Sequence, residues 1–105
     1  MKKPKSTLKK TGTESGWVED SVQSFLQLSD AEMELIETRL AASRLLKATR
    51  QSQKLTQQVA ASKLHTSQSR FAKMEAGDPS ASLDLLFRAL FSLGVSRRKL
   101  VEALQ

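Results

Sequence analysis

No cysteine occurs anywhere in this 105-residue chain. That excludes a disulfide framework and any thiolate metal site, and makes a reducing cytoplasm the simple expectation. The single histidine, His65, has no second imidazole or thiol to join it, too few ligands to hold a metal, so no cofactor is expected. No apolar run approaches the ~18 residues of a membrane span. The basic N-terminus is not followed by the hydrophobic segment of a secretory signal. Two prolines and four glycines are all that interrupt the chain, and Val and Ile are scarce. Together these shortages predict an all-α protein.

Charge of one sign is also missing, segment by segment. Residues 1–10 hold five lysines and no acid, residues 11–37 hold seven acids and no base, and residues 38–105 hold twelve bases and four acids, for a net charge of +6. The length suits one small domain with appendages. We therefore expect a basic arm over 1–16, an acidic helical extension over 17–37 and a basic domain over 38–105, each suited to a different partner. The arm lacks the apolar residues that would offset ordering entropy, so it is expected to be disordered when free. Its Lys2, Lys3, Lys5, Lys9 and Lys10 could meet phosphates on DNA, or could simply be a solvated tail.

Beyond the arm, residues 17–28 place Val18, Val22, Phe25 and Leu26 on one helical stripe, with Trp17 as a packing anchor beside it. Residues 29–53 read as one long helix: Ser29 and Glu32 make a capping box, and Met33, Ile36, Leu40, Leu45 and Leu46 supply the apolar side. Its acids sit in the front half and its bases in the back half, which suits the helix dipole as well as any partner. Residues 82–93 are apolar over more than half their circumference, so that helix should be mostly buried or should cover its surplus with a second subunit. Ser80 or Ser82 would cap it and Gly94 would end it in a left-handed turn. A last helix follows Ser96, with Val95, Leu100, Val101 and Leu104 expected inward and Arg97, Arg98 and Lys99 outward.

The stretch around which the rest is organised is 55–77, LTQQVAASKLHTSQSRFAKMEAG. Thr56 and Ser67 are good helix N-caps, because a hydroxyl accepts from the orphan amides of a first turn. Ala60, Ala61 and Leu64 form one small apolar face, and Phe71 and Met74 form another. Two helices of about two turns are unstable alone and must pack together. Two alanines opposite one phenylalanine allow a close crossing, the geometry of a helix-turn-helix whose second helix enters a DNA major groove.

These residues carry a resemblance. Leu55, Thr56, Gln57, Ala61, Leu64, Ser67, Gln68, Ser69, Lys73, Glu75 and Gly77 match, without a gap, the motif of the XRE family, the Cro and C1-repressor type. Residues 78–96 resemble that family's fourth helix and the start of its fifth. The likeness covers about two thirds of the chain. It departs at Lys54 and His65, which stand where the family usually has Gly, and at Val59, Ala60 and Phe71. The last two changes are opposite in volume and read as one compensated packing choice.

The resemblance implies a lambda-repressor-like bundle of five to six helices with an N-terminal helical extension. It implies base reading by Gln68, Ser69 and Lys73, with Arg70 at the groove edge beside the capping Ser67. Gln bonds adenine bidentately, and Arg or Lys reaches guanine. Gln57 would contact a phosphate from its helix N-terminus. Arg50 and Glu75 would form a structural salt bridge, a planar fork on a carboxylate. Asp84, Glu75 and Glu102 make no evident acid–base pair with a nucleophile, so the chain is expected to be non-enzymatic. The expected partners are double-stranded DNA and a second copy of the chain, because two half-sites about 34 Å apart are the usual target. A sequence-specific repressor is the first functional expectation. The alternative is an antitoxin: the acidic front end joined to such a domain resembles the layout of HigA-type antitoxins, which also neutralise a basic ribonuclease toxin.

Overall fold

Ser29 and Glu32 open the first helix with a reciprocal pair of hydrogen bonds. The Glu32 N–H donates to Ser29 Oγ at 3.1 Å, and the Ser29 N–H donates to Glu32 Oε1 at 2.8 Å. Two amides that no intrahelical carbonyl could reach are thereby satisfied. In this computed structural model, which describes residues 28–105, α1 then runs uninterrupted over Asp30–Ser52. The lysine-bearing arm, Trp17 and the stripe Val18, Val22, Phe25 and Leu26 lie outside the described residues. The chain divides into two units, Met1–Leu35 and Ile36–Gln105. The second holds most of α1 and four shorter helices: α2 over Gln57–Lys63, α3 over Gln68–Ala76, α4 over Leu83–Ser92 and α5 over Arg97–Leu104.

Each short helix starts on a hydroxyl. Thr56, Ser67, Ser82 and Ser96 accept from the amides of Val59, Arg70, Leu85 and Lys99, every one at 3.1 Å. Of the two candidate caps for α4, Ser82 is the one used. Each cap contributes about 1 kcal/mol relative to Ala, which matters for helices of two to three turns.

The helix ends are as uniform as the starts. An amide just past each end folds back to a carbonyl five positions earlier: Leu55 to Arg50, Thr66 to Ala61, Asp78 to Lys73 and Val95 to Leu90, at 3.1, 2.9, 3.1 and 3.0 Å. Such a wrap needs one left-handed residue just past the helix. Lys54 (φ 59°), His65 (φ 57°), Gly77 (φ 79°) and Gly94 (φ 98°) fill those four positions. The backbone thus keeps the left-handed turn at Lys54 and His65 although neither is glycine. At Gly77 a glycine is required twice over, since a Cβ there would stand 2.7 Å from Leu40 Cδ2 as well as carrying the positive φ.

All five helices contribute to one core in the second unit. Ala42 and Leu46 of α1, Ala60 and Ala61 of α2, Phe71 and Met74 of α3, Leu86, Ala89 and Leu90 of α4 and Leu100 of α5 are all buried. Each large side chain fully withdrawn from water contributes roughly 1.5–3 kcal/mol. Helices α2 and α3 pack directly on each other. Ala60, Ala61 and Phe71 are each at most 1% exposed, so the small pair and the large ring share one tight contact. The described residues form an all-helical, lambda-repressor-like bundle.

One expectation about an apolar face needs correction: Val101 points outward, 56% exposed. Phe91, 45% exposed, belongs to the apolar surplus expected on its helix. Each follows a buried leucine by one position, and a one-residue step turns the helix by about 100°, away from the side that its neighbour buries.

Candidate nucleic-acid interface

On α3 the periodicity divides the side chains cleanly. Phe71, Met74 and Glu75 are buried, while Gln68, Ser69, Arg70 and Lys73 are exposed, as is the cap Ser67. The outer face is therefore polar and cationic. Its only possible negative charge, Glu75, is turned inward, with a side chain 3% exposed.

Two other helices reach that carboxylate. Arg50, in the last turn of α1, donates from Nε to Glu75 Oε2 at 2.5 Å and from Nη2 to Glu75 Oε1 at 3.2 Å. Its remaining nitrogen, Nη1, donates to the Leu55 carbonyl at 2.9 Å. Gln57, the first residue of α2, donates from Nε2 to Glu75 Oε1 at 3.0 Å. Hydrogen bonding to Glu75 outweighs partial burial and raises the Arg50 pKa above its already high ordinary value. One charged fork thereby fixes α3 against the end of α1 and the start of α2 and keeps the acid out of the outer face.

Beside α3 lies an open groove of about 380 Å³. Ser67, Ser69, Arg70 and Lys73 form one wall, and Ser80, Ala81 and Leu85 form the other, with Met74 at its base. The far wall is held by an Asp78 turn, in which the Ser80 amide donates to Asp78 Oδ1 at 2.9 Å and the Ala81 amide donates to the Asp78 carbonyl at 2.9 Å. The Ser80 amide is the main reason that the Asp78 carboxyl titrates below its ordinary value of 3.8. Among the described residues no acidic side chain lines the groove.

A family model described as a helix-turn-helix domain matches residues 41–104. The chain belongs to the helix-turn-helix domain family. Its motif is α2, the His65–Thr66 turn and α3, the arrangement that the Cro and C1-repressor likeness anticipated, and it makes this a DNA-binding fold. No curated protein and no solved structure matches the chain.

Within this helix-turn-helix the residues singled out in the sequence fall into two groups. Ser67, Gln68, Ser69, Arg70 and Lys73 share the outer side of α3, and Arg50 and Glu75 meet beneath it. Gln57 stands between the groups: half-buried, it has one amide proton on Glu75, and a phosphate could take only the other. Sequence reasoning missed the Gln57–Glu75 contact, the Arg50–Leu55 contact and the wall formed by Ser80 and Leu85. The Asp78–Pro79–Ser80 turn chemistry was the one local signal for that wall. The other two contacts depend on how three helices meet, which no spacing encodes. Among the described residues no cluster of His, Cys, Asp and Glu could hold a metal, and no helix is long and apolar enough to cross a membrane.

Proposed function

We propose that this chain is a sequence-specific transcriptional regulator, most simply a repressor, acting as a non-enzymatic homodimer in the cytoplasm. Helix α3 enters the major groove. Gln68, Ser69 and Lys73 read base edges, with Arg70 reaching the groove edge or a phosphate. Ser67 and the free amide proton of Gln57 add phosphate contacts, which set register and carry no sequence information. The observation that carries this reading is the division of α3: five polar or cationic residues outward, and its one acid withdrawn onto Arg50. With the acid held inward, nothing on that face repels a polyanion.

The test is selection of bound duplexes from a random pool at defined salt. A recovered motif with two related half-sites about one helical turn apart supports the reading. Recovery of no motif, with binding that depends on salt alone, refutes it.

One feature favours the antitoxin role as a second reading. The opening turns of α1 expose Asp30, Glu32, Glu34 and Glu37, with Leu35 51% exposed among them. An acidic surface with an apolar centre suits a basic protein partner and speeds encounter with it. A small basic toxin encoded in the neighbouring reading frame and co-purifying with the chain would support this role. Its absence from both places would leave the repressor alone.

A further inference from the structure

The groove beside α3 has two sides of unlike chemistry. On the α3 side stand Ser69, Arg70 and Lys73, a hydroxyl and two cations, and Ser69 and Lys73 also face outward as base readers. The rest of the lining is largely apolar. Met74 and Ala81 are buried at its base, and half-buried Leu85 packs against the core while also lining the groove.

A phosphate seated there would need donors on the far side, and the amides on that side are already engaged. The Ser80 and Ala81 amides donate to the Asp78 carboxylate and carbonyl, each at 2.9 Å, and the Leu85 amide donates to Ser82 Oγ at 3.1 Å. The Asp78 carboxylate behind the Ser80 amide would also repel an anion. A duplex major groove displays one apolar substituent, the C5-methyl of thymine, among edges otherwise made of hydrogen-bond donors and acceptors. An apolar floor bordered by base-reading side chains matches that substituent.

We infer that Met74, Ala81 and Leu85 receive a thymine C5-methyl, at the base pair next to the one that Lys73 reads. The inference rests on the DNA-reading proposal and adds a base to it. Gln68, Ser69 and Lys73 read hydrogen-bonding edges, and the floor reads a group that no hydrogen bond can detect. Leu85 is then a specificity-determining residue from outside the motif, because it belongs to α4 and forms the accessible part of the floor. Moving one methyl from water onto such a floor is worth about fourfold in affinity.

The experiment uses the duplex selected by the wild type. Each thymine is replaced in turn by deoxyuridine, which loses the methyl and keeps every hydrogen-bonding group. Affinity is measured for the wild type, Leu85→Ala and Leu85→Met, with a thermal melt of each. In the wild type one thymine position per half-site costs about fourfold, and 5-methylcytosine there binds better than cytosine by a similar factor. Folded Leu85→Ala binds thymine and deoxyuridine there equally, whereas Leu85→Met keeps an apolar floor and preserves the difference. A wild type indifferent to deoxyuridine at every position overturns the inference, and so does a difference that survives unchanged in folded Leu85→Ala. The wild-type scan needs no variant, so it decides the matter even if Leu85→Ala unfolds. Single methylphosphonates test the other occupant. Indifference to deoxyuridine, with a loss at one neutralised phosphate that disappears in Ser80→Ala, would put a phosphate in the groove and overturn the methyl. A selected motif without any deoxyuridine effect removes the methyl and leaves the base reading standing; no motif at all removes both.

Discussion

Arg50 grips Glu75 through two nitrogens, Nε at 2.5 Å and Nη2 at 3.2 Å, and anchors its third to the Leu55 carbonyl. The pair joins residues 25 positions apart and sets where α3 sits under its outer face. With side chains 13% and 3% exposed, it belongs to the class in which removing one partner strands the other. Arg50→Met should cost about 3 kcal/mol. Replacing both residues by Met should recover much of that loss, because no buried charge is then left unpaired. Urea unfolding of the two single variants and the double variant closes the cycle.

Lys54 and His65 hold left-handed backbone that Gly77 and Gly94 hold at less cost. A side chain there costs roughly 1–2 kcal/mol, partly offset by the greater freedom that glycine has in the unfolded chain. Lys54→Gly and His65→Gly should each stabilise by about 0.5–1 kcal/mol. For a domain of this size that raises the melting midpoint by about 4–8 °C per kcal/mol. A fall in the midpoint of both variants would mean that the two side chains make a compensating contribution.

Ser43 is 2% exposed, and its Oγ has no hydrogen-bond partner among the described residues. A buried hydroxyl without a partner costs about 1–3 kcal/mol. Ser43→Ala, which removes the group and leaves almost the same volume, should therefore stabilise by about 1 kcal/mol in thermal unfolding. Destabilisation would show that the hydroxyl has a partner in solution.

The Asp78 turn makes stability depend on pH in a fixed direction. The folded carboxyl titrates below 3.8, held down by the Ser80 amide. Its contribution is therefore complete above the unfolded value and is lost as pH falls through the folded one. Asp78→Asn should lose stability at neutral pH and show a smaller further loss on acidification than wild type. Identical acid profiles would remove the turn from the linkage.

Much of this could be read in the sequence because helix capping is local chemistry. Thr56, Ser67, Ser82 and Ser96 each lie next to the apolar periodicity that they start, and their hydrogen bonds span three residues. The split of α3 into Phe71 and Met74 against Gln68 and Lys73 follows from the 3.6-residue period alone. Val101 escaped because apolar character was taken for an inward direction, although it lies about 100° from its buried neighbour Leu100. The meeting of Arg50 with Glu75 came from family likeness, and Gln57 on Glu75 came from neither route. Both contacts depend on how α1, α2 and α3 meet, and Ala60 and Ala61 against Phe71 bear only on the approach of α2 to α3.

The most direct measurement is the base preference of Gln68→Ala and Lys73→Ala at the duplex selected by wild type, with circular dichroism alongside. If α3 reads base edges, each variant keeps its helical content and loses about 1–3 kcal/mol of discrimination at its own position in each half-site, other positions remaining as selective as before. An unchanged preference at every position, with both variants folded and bound, would contradict that reading.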